Sequence, residues 1–357
     1  MTQANYAEYY LGANTPNGFT SLFSESYDYM DGWRAYIIKG GPGTGKSTLM
    51  KKLCARCEDE GIFCERVYCS SDPDSLDAVI IPSMKTAVYD GTAPHVLEPK
   101  YPGACENIIN TGQAWDARRL YAAREDIIRL SDQCSACHRN ATRMLSCAYA
   151  FRLNTRLLTR EAFDSVKLRR TAENLYAKYI GTRGSSRGRQ SRRLISAVTP
   201  QGVRLLDAAC AMCDTIVPIS DRYDLPSGEL TASLCELLLE RGMDIITCLC
   251  SQDFSRIEHI IVPEASVMFT VASEYHALPT DARIIHAERF LSAGFVSSNK
   301  QKMSFNRRAE KQFIDLAVRE MQEAKAIHDK LEAIYIGAMN FDIVADITDR
   351  AMDAIFG

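Results

Sequence analysis

Gly40-Gly41-Pro42-Gly43-Thr44-Gly45-Lys46-Ser47 is the stretch whose residue types and spacing most clearly imply chemistry. It fits G-x-x-x-x-G-K-[ST], and Thr48 follows it. Glycines permit backbone conformations and close approaches that side chains forbid, so successive N–H groups can turn toward phosphate oxygens. A helix starting at Lys46 would add its positive N-terminal end. In this pattern Lys46 reaches the β- and γ-phosphates, and Ser47 places its hydroxyl on Mg²⁺. The expectation is a nucleoside triphosphate bound with magnesium through Gly40 to Thr48. The expected nucleotide is ATP, although the loop reads phosphates only and does not select adenine.

A magnesium site also needs a carboxylate at the end of a neighbouring strand. Asp90 closes the apolar run Thr86-Ala87-Val88-Tyr89 and is the candidate, with Ser47, for the metal or its water. Asp-Gly is also a common turn signal, so Asp90-Gly91 has an ordinary alternative reading. Asp74 is a candidate water-orienting base.

Flanking elements must hold these residues. Ala35 to Lys39 reads as a buried strand running into the glycines, and Lys46 to Glu60 as a helix ended by Gly61. Further strands are expected around Glu65 to Cys69, Ala78 to Ile81 (stopped by Pro82) and Thr86 to Tyr89. Asp72 followed by Pro73 reads as a helix cap. This alternation implies a parallel sheet. Gln113 to Ile180 contains neither Gly nor Pro and should be helical. Gly181 to Arg193, with five arginines among Gly and Ser, reads as an exposed linker.

The second part of the chain repeats the first. Gly61, Cys69, Ser70, Asp72, Ile80 and Pro82 recur as Gly242, Cys250, Ser251, Asp253, Ile261 and Pro263, all at one offset of 181 positions. Thr15-Pro16-Asn17-Gly18 recurs as Thr199-Pro200-Gln201-Gly202. Asn299 to Ile336 and Ala338 to Phe356 supply a second helical tail. The expected fold class is α/β: two P-loop NTPase-like parallel-sheet cores, the second degenerate, each followed by long helical arms. The expected division is residues 1–183, a linker at 184–193, and 194–357, with the halves packed as an internal pseudo-dimer.

At the 181-residue offset Lys46 becomes Ser227, Ser47 becomes Gly228, Asp90 becomes Val271 and Asp74 becomes Ser255. The second loop, Asp221 to Gly228, lacks the lysine and gains two carboxylates, so it should repel phosphates. Residues lost together with Lys46 are candidates for nucleotide chemistry. Those kept, Asp72/Asp253 and Pro82/Pro263, read as structural, whereas His95/His276 are open between a shared packing or hydrogen-bonding role, the more frequent case, and a catalytic one.

Composition limits the rest. The 357-residue chain is 46% hydrophobic and 24% charged, as expected of a globular protein with a real core. A net charge of −3 gives no global attraction to nucleic acid. The arginine-rich linker could contact nucleic-acid phosphates locally, but a solvated linker is the more frequent meaning of such a run. No run approaches the roughly 20 apolar residues of a membrane span, the N-terminus lacks a secretory pattern, and 13 scattered cysteines suit a reducing compartment, so a cytoplasmic location is expected. Cys134-Ser135-Ala136-Cys137-His138 matches a haem-attachment pattern that belongs to exported proteins. The pairs Cys54/Cys57 and Cys210/Cys213 have zinc-like spacing that one helix face also explains.

At IIKGGPGTGKSTLMKKL, CSSDPDSLDAVIIP and VYDGTAPHVLEPKYPGACENIIN the chain resembles a family of bacterial ATP-binding proteins with tandem P-loop halves, regarded as ATPases or nucleotide kinases. The resemblance covers most of the chain. The family's second half also carries a glycine-lysine loop, from which Asp221 to Gly228 departs. The loop GPGTGKST is also similar to those of AAA-type ATPases, without further motifs of that class. The leading expectation is Mg-dependent ATP binding and hydrolysis by the first half, with Lys46, Asp74 and Asp90 catalytic and the second half regulatory or structural. The alternatives are a small-molecule or nucleotide kinase, with the helices from Gln113 to Ile180 as a lid, and a non-hydrolysing nucleotide-gated module for a protein partner.

Overall fold

In the computed structural model, residues 5–93, 96–181, 184–272 and 282–357 are described. The first half contains β1 (Tyr6–Tyr9), β2 (Gly12–Thr15), β3 (Gly18–Ser21), β4 (Arg34–Lys39), α1 (Lys46–Asp59), β5 (Cys64–Tyr68), β6 (Leu76–Ile81), β7 (Thr86–Asp90) and β8 (Glu106–Asn110). The helices α2 (Ala117–Ala122), α3 (Arg124–Arg160) and α4 (Ser165–Tyr179) follow. The second half contains β9 (Gln190–Arg193), β10 (Ser196–Thr199), β11 (Gly202–Leu205), α5 (Ala208–Ala211), β12 (Thr215–Ser220), α6 (Leu225–Glu240), β13 (Ile245–Cys250), β14 (Asp253–Val262), β15 (Val267–Ala272) and β16 (Ile285–His286). It ends in α7 (Ala293–Ile336) and α8 (Phe341–Phe356).

Two six-stranded sheets form the α/β core, ordered β1-β5-β6-β7-β4-β8 and β9-β13-β14-β15-β12-β16. The shared order extends the repeat from sequence to topology. Both sheets are mixed, which corrects the expectation of parallel cores: β6 runs antiparallel to β5 and to β7, and β14 likewise to β13 and β15. The physical reason is the length of the connections. Only Pro82 to Lys85 joins β6 to β7, too short for the dozen or more residues of a parallel crossover. Lys85 and Ser266 turn that corner with φ of 47° and 52°, the same backbone solution in both halves.

Apolar residues recur along one face of α1 (Leu49, Met50, Leu53, Cys54 and Cys57), which covers the sheet beside buried β4. On α6, Leu230, Leu234, Leu238 and Leu239 do the same for the second sheet. Gly61 and Gly242, with φ of 68° and 81°, end these helices in the left-handed conformation.

The terminal helices are exchanged between the halves. Leu168, Ala172, Leu175 and Tyr176 of α4 are buried in the core built by α6, β12 and β15 of the second half. Ile347, Ala351 and Ile355 of α8 are buried in the core of α1, β4 and β7 in the first. The Tyr36 hydroxyl donates to the Ala354 carbonyl oxygen at 2.8 Å. Reciprocal contacts mark an approximate two-fold relation. Asp116 N donates to Ala338 O at 2.7 Å and Ser292 N to Ala162 O at 3.0 Å, with Asp116 and Ser292 in equivalent positions. On the axis, Tyr10 and Leu194 exchange backbone hydrogen bonds of 2.8 and 3.0 Å. Between the halves α3 and α7 lie side by side, burying Ala141, Leu145, Ala148, Ile314, Ala317 and Met321.

Residues 190–193, expected in the linker, instead form strand β9, parallel to β13. Arg193 is buried and donates from Nε to Glu65 Oε2 of the first half at 2.9 Å, and Arg192 pairs with Glu25. The charge pattern suggested solvation, but these guanidinium groups find carboxylates across the interface. Among the described residues no helix is long and apolar enough to cross a membrane.

Candidate functional site

The loop Gly40–Gly45 leaves the C-terminal end of β4, which lies between β7 and β8, and enters α1 at Lys46. Gly43 and Gly45 have φ of 66° and 88°, values that a side chain would strain. The Thr44 hydroxyl donates to Gly41 O at 2.9 Å and receives the Thr111 hydroxyl at 3.0 Å, so the residues after β8 brace the loop. Lys46 Nζ folds back onto Gly41 O at 2.6 Å and lies 3.6 Å from Asp90 Oδ2. Asp90 ends β7, which pairs with β4 in a register that sets Asp90 opposite Ile38. Its other oxygen accepts from the Thr92 backbone and hydroxyl.

Ser47 Oγ accepts the backbone N–H of Leu76 at 3.0 Å, which fixes the turn at residues 72–75 beside the loop. Asp74 is exposed on that turn. Lys46, Ser47 and Asp90 are therefore brought together, and Asp74 lies on the adjoining turn. Asp72 caps no helix, contrary to expectation. Its carbonyl and carboxylate accept the Ser75 N–H (2.9 Å) and hydroxyl (2.7 Å) within a tight turn, and Lys325 of α7 lies 3.6 Å from its Oδ1. Pro73 accordingly sits in a turn, where its fixed φ serves as well as at a helix start. Asp253 likewise caps no helix but opens strand β14.

The α7–α8 corner backs the loop, so residues from the end of the chain contact its start. A Cβ on Gly41 would lie 2.6 Å from the Tyr335 ring, and one on Gly43 2.8 Å from Glu332 Cγ. One on Gly45 would lie 2.8 Å from Val344. The glycines thus permit this approach as well as the turn itself.

In the second half the corresponding loop is filled by its own carboxylates. Asp221 accepts the backbone N–H groups of Tyr223 and Ser227, both at 2.7 Å. Burial pushes its pKa up to about 6 despite these bonds. Asp224, the counterpart of Gly43, keeps its positive φ, at 68°. Its carboxylate pairs with Arg256 and with Arg156, which arrives from α3. Burial would raise its pKa, but Arg256, Arg152 and Arg156 together hold it below the ordinary value. Arg156 also donates to Asp253 at 2.6 Å, and Tyr149 donates to the same carboxylate at 3.1 Å. Burial works against the ionised form of Asp253, and the Ser255 and Arg156 hydrogen bonds bring its pKa down to about 2.

Sequence reasoning missed every arm residue at these loops: Arg152, Arg156, Lys325, Glu332 and Tyr335. The repeat could have paired them as counterparts, but no local pattern says which loop a distant helix will meet. His95 and His276 lie outside the described residues. Cys54/Cys57 and Cys210/Cys213 pack in separate clusters, so they form no four-thiolate site, and Cys134, Cys137 and His138 lie mid-helix in α3.

Comparison of the chain with protein-family models, curated proteins and solved structures gives no match. Its function must therefore be argued from the site.

Proposed function

We propose that the first half binds Mg·ATP through Gly40 to Thr48 and hydrolyses it, while the second half serves as a structural and regulatory partner. The observation that carries this reading is the placement of Lys46 at the start of α1, folded onto the loop carbonyls and beside Asp90 on the adjacent strand. A lysine held at a glycine loop by its own backbone oxygens can exchange those weak partners for phosphate oxygens, a charge-assisted contact. The oxygen donors Ser47 and Asp90 suit a hard cation such as Mg²⁺, which would neutralise phosphate charge there. Together with the α1 N-terminus this arrangement fits the P-loop class of nucleotide sites and the resemblance to tandem P-loop ATP-binding proteins.

The second loop supports a single site per chain. Asp221 takes up backbone N–H groups that a phosphate would need, and Asp224 adds a further negative charge. Titration calorimetry with Mg·ATP tests the reading. One site per chain is expected, abolished by Lys46→Ala and unchanged by Ser227→Ala; two equivalent sites would refute it. Release of ADP with free phosphate from purified protein identifies hydrolysis, whereas phosphate appearing on an added metabolite identifies a kinase.

A further inference from the structure

The second half shows what this shared backbone does when an anion sits at the loop. There Arg156, near the end of α3, bridges two carboxylates: Asp224 of the loop and Asp253, which opens β14. The arm that supplies it belongs to the other half. The first half has the same architecture with the parts exchanged. Its arm is α7, and the segment over the loop brings Lys325 to Asp72, the counterpart of Asp253. Lys325 corresponds to Tyr149, as the equivalent contacts of Tyr149 with Asp253 and Lys325 with Asp72 show. At the position of Arg156 stands Glu332, which packs against Gly43.

Charge has thus been redistributed between arm and loop. Where the loop carries acids the arm carries arginines, and where the loop carries Lys46 the arm carries Glu332 and brings the cation Lys325 to the adjoining turn. That turn lies at the site, because Leu76 N donates to Ser47 Oγ at 3.0 Å. Lys325 Nζ is held by Asp72 and Asp329, and an ammonium has a third hydrogen to donate. Its side chain is only partly buried, 29% exposed, on a flexible four-carbon stem.

We propose that Lys325, carried by the C-terminal half, contacts the terminal phosphate of the nucleotide held by Gly40 to Thr48 and so completes that site across the internal two-fold axis. This rests on the nucleotide-binding function proposed above. Lys325 then does for a phosphate what Arg156 does for Asp224: it ties the loop-bound anion to the aspartate of the neighbouring turn. The consequence is discrimination between triphosphate and diphosphate by a residue nearly 280 positions from Lys46 in sequence.

The test compares Mg·ATP and Mg·ADP binding, and phosphate release, in the full-length protein and in Lys325→Met, Lys325→Arg and Lys46→Ala. Lys325→Met should leave Mg·ADP affinity within about twofold and lower Mg·ATP affinity or phosphate release by about tenfold to a hundredfold, the range of one charged hydrogen bond. Lys325→Arg should restore part of that loss, which a merely structural role would not require. Lys46→Ala should lose both nucleotides. Unchanged ATP-to-ADP discrimination and turnover in Lys325→Met would overturn this inference alone. Failure of the wild-type protein to bind either nucleotide would overturn the proposed function and this inference with it.

Discussion

Ending the chain at Asn340 removes α8, the last helix of the second half, and the damage should fall on the first half. Val344, Ile347, Ala351 and Ile355 are buried, the last three in the same cluster as Tyr36, Leu49, Leu53 and Val88. Burying one Val or Ile side chain contributes about 1.5–3 kcal/mol, so Val344, Ile347 and Ile355 together represent roughly 4.5–9 kcal/mol. That is comparable with the whole stability of an ordinary domain, about 5–15 kcal/mol. The loss also uncovers the facing residues of α1 and β4 and removes the acceptor of the Tyr36 hydroxyl. The truncated chain should lose the cooperative urea transition of its first half and bind no nucleotide, although Gly40 to Thr48 and every residue before Phe341 are present. Ile347→Ala provides a milder form, costing about 2–5 kcal/mol. Hydrogen exchange would localise the effect: loss of amide protection in α1 and β4 is expected before loss in α6. A truncated protein with full protection in α1 and unchanged unfolding would refute the exchange of helices as a source of stability.

Two further outcomes follow from buried charges. Arg193→Met leaves Glu65 buried without its partner across the halves and should cost about 3–5 kcal/mol, whereas Arg193→Met with Glu65→Leu should recover most of it; denaturant unfolding of the double-mutant cycle measures both. Asp221 has a folded-state pKa of about 6 against an unfolded value of 3.8, so the folded state holds the proton more tightly. Its contribution is fully present below about pH 4 and is lost as pH rises through 6, by an amount of the order of 3 kcal/mol. Asp221→Asn should flatten that limb of the stability profile measured by urea titration from pH 4 to 7, and an unchanged slope would show that another group is responsible.

Much of the first site was legible because its demands are local. Glycines at 43 and 45, a lysine at the helix start and an aspartate closing the next apolar strand are each dictated by backbone geometry within a few residues, and the structure brings them together. The repeat was legible for the same reason: Gly61 and Gly242 end equivalent helices, and Lys85 and Ser266 turn equivalent corners. The antiparallel course of β6 could also have been read, since a connection from Pro82 to Lys85 cannot cross over a sheet. The exchange of α4 and α8 could not. An apolar stripe specifies that a face is buried but not by which of two similar cores. Residues 190–193 misled for a related reason: a run of arginines signals solvent until a strand partner such as β13 and an acid such as Glu65 are known to be waiting.

The exchanged helices also set the order in which the molecule can be made. The first core needs α8, which follows α7 in the chain. A ribosome adding about 5–20 residues per second takes roughly 10–50 s to go from β8 to α8, and throughout that interval the apolar face of α1 and β4 has no cover. The second core meets no such delay, because α4 precedes β12, α6 and β15 in the chain. The half synthesised last is therefore the first to close, and the glycine loop Gly40–Gly45 acquires its full surroundings only once α8 has been made.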